Sequence, residues 1–180
     1  MLYMFFADGF EEVEAVATLD VIRRAGIEIQ SVGIGSDIIT GSHNMKFICD
    51  KTESDIEISD DVTGIILPGG MPGTTNLMNS AAVEKFTDYC SKNNLLICAI
   101  CAAPIILGKK GLLSGRKAIC FPGFEKELIG AELSDEFVCR DGNIITAKGM
   151  GSAVNFGLEI VAAFKGPDYA SELKATLQCS

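Results

Sequence analysis

Short apolar runs that alternate with helix-forming segments constrain the fold of this chain most. The apolar run over residues 2–7 precedes a helical pattern over 11–26, and a second apolar run follows over 27–35. This order is typical of a βαβ unit with a right-handed crossover. Further apolar runs at 64–67 and 94–101 continue the pattern. The chain therefore predicts a mostly parallel α/β sheet covered by helices on both faces.

The remaining pattern adds two small hairpins and four helices. We expect one hairpin over 38–49 around Gly41-Ser42-His43-Asn44, and another over 137–147 that turns at Asp141-Gly142. The predicted helices cover about 80–92, 102–113, 153–164 and 168–178, and a short strand is expected at 117–120.

Length and composition limit the classes of protein to consider. A chain of 180 residues, 48% of them hydrophobic, suits a single domain over 1–180 with one sizeable core. The apolar runs are too short to span a bilayer, and the N-terminus lacks the pattern of a secretory leader, so we expect a cytoplasmic protein. A net charge of −9 without a basic stripe argues against a nucleic-acid-binding surface. Seven cysteines and one histidine favour reduced thiols over a disulfide framework or a zinc site.

Cys101 is the first candidate for chemistry, because it lies between the apolar run and the following helical segment. Backbone N–H groups and the helix dipole at such a junction favour a thiolate, as in a nucleophile elbow. A small buried core residue is an equally ordinary interpretation of a lone cysteine. The spacing of Cys98 and Cys101 also permits a dithiol pair, but Cys98 lies inside the apolar run, which disfavours it.

Two further features follow strands and are expected at the same edge of the sheet. Gly69 and Gly70 allow a sharp turn that points a backbone N–H inward, although an ordinary turn is the commoner meaning of such a pair. Glu14, in the first turn of the first helix, could accept a proton from the thiol or simply face solvent. Ligands of parallel sheets collect at the carboxyl ends of strands, so Cys101 and these residues predict one crevice.

Taken together and in order, these segments resemble the ThiJ/PfpI superfamily, and within it the DJ-one branch. The matching segments are ADGFEEVEAV with LDVIRRAG, LPGGMPGTTNL, AICAAP and RDGNIITAKGMGSA, which lie between residue 2 and about residue 164. The resemblance implies a flavodoxin-like three-layer α/β sandwich with a mostly parallel sheet and small β-hairpins. It also implies a homodimer.

The resemblance also assigns roles by position. Cys101 matches the oxidisable nucleophile, and Glu14 matches the glutamate that hydrogen-bonds its sulfur. Gly70 and Ala102 match the positions whose backbone N–H groups face the developing oxyanion, with Gly69 in support. Asp20 and Arg24 match positions on the first helix at or near the dimer contact, and Cys49 matches a second, peripheral cysteine.

The activities implied are conversion of glyoxal or methylglyoxal to a hydroxy acid, removal of early glycation adducts, oxidative-stress sensing and chaperone-like behaviour. No metal, glutathione or nucleotide cofactor is implied. We therefore expect a cysteine-dependent enzyme of glyoxalase or deglycase type that acts on a small aldehyde or a glycated substrate. The alternative is a sensor whose Cys101 is oxidised to a sulfinate that Glu14 stabilises by accepting a hydrogen bond.

Two departures from the family pattern bear on mechanism. Phe121-Pro122 stands where the branch commonly has a histidine and proline near the cysteine. The sole histidine, His43, falls on the first hairpin, where an exposed turn histidine is expected, so Glu14 would handle protons alone or with water. Ala102 follows Cys101 where the protease branch places a histidine, which lowers the protease and amidase interpretations.

Overall fold

The fold is built on one large sheet, and the computed structural model describes residues 1–179 of the chain, so the last residue of the predicted domain lies outside it. Its strands are β1 (Leu2–Phe6), β2 (Ile29–Gly33), β3 (Ile38–Thr40), β4 (Lys46–Ile48), β5 (Lys51–Thr52), β6 (Gly64–Leu67), β7 (Leu96–Ile100), β8 (Lys117–Ala118), β9 (Glu132–Leu133), β10 (Val138–Asp141) and β11 (Ile144–Ala147). Its α-helices are α1 (Glu12–Arg24), α2 (Gly73–Met78), α3 (Ala81–Lys92), α4 (Pro104–Lys109), α5 (Ala153–Lys165) and α6 (Pro167–Thr176).

Seven strands form the main sheet in the order β10-β11-β7-β6-β1-β2-β5. Neighbouring strands run parallel, except that β10 is antiparallel to β11. The five central parallel strands follow the order second, first, third, fourth, fifth along the chain, which is the flavodoxin-like order. The predicted flavodoxin-like α/β sandwich is therefore confirmed, and β1 and β6 meet at the point where the strand order reverses.

The sheet is buried on both faces because side chains alternate along each strand. In β1, Leu2, Met4 and Phe6 pack into the apolar layer that includes residues of α1 and α5. Tyr3 and Phe5 enter the opposite layer, which includes residues of α3 and α4. Two cores therefore hold the carboxyl ends of β1, β6 and β7 in fixed relation. Among the described residues, no helix has both the length and the apolar character needed to cross a membrane.

The two predicted hairpins are confirmed, with β3 paired to β4 and β10 to β11. The helix predicted over 102–113 is wrong in extent, since α4 covers only Pro104–Lys109. Proline at the first helical position sets the start. At the other end Gly111 has a φ of +72°, a left-handed conformation that glycine adopts readily and that follows the helix.

Candidate active site

Cys101 occupies a sharp turn directly after β7. Its φ is +64°, a value that residues other than glycine adopt rarely and at a cost of about 1–3 kcal/mol. Two backbone hydrogen bonds hold this conformation: the Cys101 N–H donates to the carbonyl of Ala147 in β11 at 2.9 Å, and the Cys101 carbonyl accepts from the Phe121 N–H, in the segment after β8, at 2.8 Å. The strained turn is the geometry expected of a nucleophile elbow.

Glu14 lies in the first turn of α1, and its residue is only 1% exposed. Its carboxyl hydrogen-bonds with the Cys101 thiol and accepts from the backbone N–H of Met150. A third bond comes from the Gly69 N–H, at 3.1 Å from Oε2. Glu14 is therefore not a solvated helix-turn glutamate but a buried carboxyl that is directed at the sulfur.

The loop after β6 closes over this pair. A Cβ on Gly69 would lie 2.5 Å from the Cys101 Cβ and 2.6 Å from Glu14 Oε2, so any side chain there would displace one of them. Gly70 has a φ of +92°, which turns its N–H toward the Cys101 sulfur. The backbone N–H of Ala102 faces the same sulfur from the other side of the elbow. The five predicted site residues thus meet at one point.

Burial raises the pKa of the Glu14 carboxyl from its ordinary 4.5 to about 7, with a further rise from the charge of Glu11 and a partial offset by the Cys101 hydrogen bond. A carboxyl with this pKa exchanges its proton near neutral pH, as a general acid or base must.

The Cys101 pKa lies above that of an ordinary thiol, at about 12, because burial and the nearby Glu14 carboxylate outweigh the N–H groups of Gly70 and Ala102. The prediction that the helix dipole makes this thiol acidic is wrong, since α4 is only six residues long and begins three residues later. A proton on Glu14 removes the repelling charge and supplies a donor, so the thiolate is favoured only together with a protonated Glu14.

Phe121, which the family resemblance aligns with a histidine, lies next to the elbow, since its N–H donates to the Cys101 carbonyl. Its residue is 47% exposed, and its ring neighbours that of Phe124, with ring centroids 6.4 Å apart. The sequence gives no reason to connect Phe137 and Met150 with this site, but they lie with Phe121 along one groove. The only sequence feature that could have pointed to Phe137 or Met150 is a large apolar residue within a segment expected to be exposed.

His43 is more than an exposed turn residue. Its N–H donates to Glu12 Oε1 at 2.7 Å, and its Nδ1 lies 2.9 Å from Glu12 Oε2. Burial alone would raise the Glu12 pKa, but the hydrogen bonds from His43 bring it down to about 2. These bonds fasten the β3–β4 hairpin to the start of α1. Possible metal-ligand atoms of Glu11, Glu12 and His43 lie within 4.8 Å of one another. Both carboxylate oxygens of Glu12 already accept hydrogen bonds from the hairpin, so we assign no metal to this cluster.

The remaining predicted residues lie away from the sulfur. Asp20 and Arg24 form an exposed ion pair of 2.6 Å along α1. Cys49 is buried, and burial is the main cause that raises its pKa to about 12. All seven cysteines are free, and Cys101 and Cys179 are the partly exposed ones.

Comparison with known proteins gives a consistent picture. The model of the DJ-1/PfpI family matches residues 1–163. The chain is 33% identical over 178 residues to the Parkinson disease protein 7 homolog of Danio rerio, covering 97% of this chain and 94% of that protein. It is 32% identical over 173 residues to Protein dj-1beta of Drosophila melanogaster, covering 94% and 92%. The structure of oxidised Toxoplasma gondii DJ-1 superposes with a TM-score of 0.94 at 31% identity, covering 99% of this chain and 98% of that one.

Proposed function

Because the chain belongs to the DJ-1/PfpI family, we propose that it is a cofactor-free, cysteine-dependent enzyme that converts reactive 2-oxoaldehydes to 2-hydroxy acids. One observation carries this proposal: the Glu14 carboxyl, with a pKa of about 7, is buried against the Cys101 thiol. The reaction requires a nucleophile and a nearby group that both gives and takes protons, and this pair supplies both.

The first step forms a bond between the Cys101 sulfur and the aldehyde carbon. The C=O electron pair moves to oxygen, where the N–H groups of Gly70 and Ala102 stabilise the negative charge before a proton from the Cys101–Glu14 pair neutralises it. The product of this step is a hemithioacetal.

The second step is a proton transfer between neighbouring carbons. The Glu14 carboxylate removes the hydrogen of the former aldehyde carbon as a proton, and the negative charge moves to the former ketone oxygen. The hydroxyl proton of the former aldehyde carbon then passes to that oxygen, and Glu14 returns its proton to the former ketone carbon. This gives a 2-hydroxy thioester, in which one carbon has been oxidised and the other reduced, so no external oxidant is needed. Water then cleaves the thioester, which releases the 2-hydroxy acid and restores the thiol.

The deciding experiment is a lactate assay with methylglyoxal in the absence of glutathione. We expect lactate formation by the wild-type protein and none above buffer by Cys101→Ser. The matched control is Cys179→Ser, which removes the other partly exposed thiol and should keep the wild-type rate. Equal lactate from wild type and Cys101→Ser would exclude the enzyme proposal.

A second candidate function is peroxide sensing, and the partial exposure of Cys101 supports it. Two equivalents of peroxide would convert the thiol to a sulfinate with release of two waters. The raised pKa of Glu14 favours donation of its proton to a sulfinate oxygen, which reverses the hydrogen-bond direction that we expected from the sequence. If mild peroxide oxidises Cys101 before Cys179, as followed by mass spectrometry, while the lactate assay shows no Cys101-dependent product, sensing is the function.

The family resemblance also supports a homodimer through α1. Val13 and Val16 lie on one exposed side of this helix, and the adjacent hairpin exposes Ile38, Met45 and Ile48. We name these five residues the helix–hairpin face. Exposed apolar side chains grouped on two joined elements are typical of a subunit contact.

A further inference from the structure

An apolar groove of about 330 Å³ lies beside the Cys101 site. Phe121, Pro122, Phe137 and Met150 line it, and the two phenylalanines and the methionine are 47%, 66% and 55% exposed, respectively. Large side chains of this kind are normally buried, and an exposed cluster of them marks a binding surface. The groove volume falls at the lower end of the range for small-molecule sites, about 300–1,000 Å³.

The groove is continuous with the reacting groups. The Phe121 N–H donates to the carbonyl of Cys101 itself. A Cβ built on Gly149 would lie 3.2 Å from Cδ2 of Phe121 and 3.8 Å from Oε1 of Glu14, so the Phe121 ring and the Glu14 carboxyl both approach Gly149, which also lines the groove. A substituent on a carbon that is bonded to the Cys101 sulfur therefore has this groove next to it.

The chemistry of the groove selects the kind of substituent. Its large apolar side chains are two aromatic rings, a proline ring and a thioether, all of which bind carbon groups better than hydrated ones. Two polar residues also line the groove, Lys148 and Ser152. Lys148 Nζ lies 5.3 Å from the centroid of the Phe137 ring, and the Ser152 hydroxyl donates to the Gly149 carbonyl. A charged or hydroxylated substituent would lose water here without gaining matched hydrogen bonds.

We propose that the groove binds an apolar substituent of the substrate, so that the site prefers aryl or long alkyl 2-oxoaldehydes to glyoxal and to sugar-derived adducts. This inference rests on the proposed function for its reaction, but the groove can also be tested without turnover. Side-chain selectivity of this kind is worth about 10–200-fold in a hydrophobic pocket.

The first test compares kcat/KM for phenylglyoxal with kcat/KM for glyoxal. We expect this ratio to fall by about tenfold or more in Phe137→Ala, since Phe137 contributes groove wall but no bond to the elbow. Ile129→Ala is the matched control, because Ile129 is 59% exposed and outside the groove, and its ratio should equal that of the wild type. An unchanged ratio in Phe137→Ala would overturn the inference.

The second test replaces turnover by alkylation of Cys101, measured by mass spectrometry. N-benzyliodoacetamide and iodoacetamide have the same leaving group, so their rate ratio at Cys101, divided by the ratio at glutathione, reports the groove alone. We expect a corrected ratio about tenfold above one in the wild type and near one in Phe137→Ala. If Cys101 prefers N-benzyliodoacetamide but the protein turns over no aldehyde, the groove inference stands and the proposed function is wrong. If the protein turns over aldehydes but shows no such preference, the proposed function stands and the groove inference is wrong.

A second copy of this chain is the competing occupant of the groove. Light scattering on Phe137→Ala distinguishes a second copy of the chain from a substrate substituent as the occupant. If the substitution changes the oligomeric state and leaves both ratios unchanged, the groove is a subunit contact and the inference is wrong.

Discussion

Cys101 and Glu14 behave as one titrating unit rather than as two separate residues. Their hydrogen bond and burial couple the two protons, so in the proposed reaction the nucleophile is a thiolate beside a neutral carboxyl. The sequence, through its resemblance to the family, predicts both residues and their contact. The direction of the thiol pKa could not be predicted, because it depends on the tertiary packing that excludes water from Glu14 and on the short length of α4.

The raised Glu14 pKa makes stability depend on pH in a defined window. Between pH 4.5 and about pH 7 the folded protein holds a proton that the unfolded chain has released, so its folding is favoured below this window and weakened as the pH rises through it. Glu14→Gln keeps the shape and cannot ionise. We expect the unfolding free energy of this variant minus that of the wild type to increase from pH 5 to pH 7, at up to ~1.4 kcal/mol per pH unit.

Urea denaturation at each pH measures this difference. The other titratable groups are present in both proteins, so their contributions cancel in the difference. A difference that stays flat from pH 5 to pH 7 would show that Glu14 has an ordinary pKa.

At the scale of the elements, the turn after β6 sets how closely the pair can approach. Gly69→Ala would place a methyl group against Cys101 and Glu14, and overpacking of this kind costs about 1–3 kcal/mol. A displacement of about 1 Å at reacting groups can also cost about 10²-fold in rate. We therefore expect Gly69→Ala to lose both stability in urea and lactate formation from methylglyoxal.

Gly151→Ala is the stability control, since a Cβ at Gly151 meets nothing within 4 Å. Both variants add one methyl group to a glycine without left-handed backbone. Similar unfolding free energies for the two variants would show that Cys101 and Glu14 can accommodate a methyl group at Gly69.

The main elements are largely predictable from sequence, and the exceptions have identifiable causes. Strand β6 is bounded as predicted, because a fully buried run ends at Pro68. The short helix α2 was not expected, since PGGMPGTTNL has the composition of a loop. Likewise, β5 has only two residues and no periodicity to detect.

For the whole molecule, the helix–hairpin face is the surface through which we propose that the dimer forms. His43 and Glu12 hold its two elements together, so the face is preformed. The family resemblance predicts that Asp20 and Arg24 lie at or near the dimer contact, and these two residues pair with each other along α1. In the proposed dimer, the apolar residues of the helix–hairpin face contribute more free energy on burial.

We expect a wild-type particle of twice the 19.1 kDa chain mass and a particle of one chain mass for Val16→Asp. In the proposed dimer the substitution would bury a charge on the helix–hairpin face, which costs several kcal/mol when the charge is unpaired. Size-exclusion chromatography with light scattering gives the masses. Ile129→Asp is the control for a surface charge elsewhere, and identical masses for the wild type and Val16→Asp would assign the dimer to another face.

The two donors that face the Cys101 sulfur belong to the main chain, at Gly70 and Ala102. No substitution other than proline deletes a peptide N–H. Single substitutions can therefore change the Cys101 thiol, the Glu14 carboxyl or the groove, whereas the two N–H donors are retained as long as the two turns keep their conformation. If the proposed reaction holds, the substrate preference can evolve at the groove while the groups that stabilise the oxyanion stay unchanged.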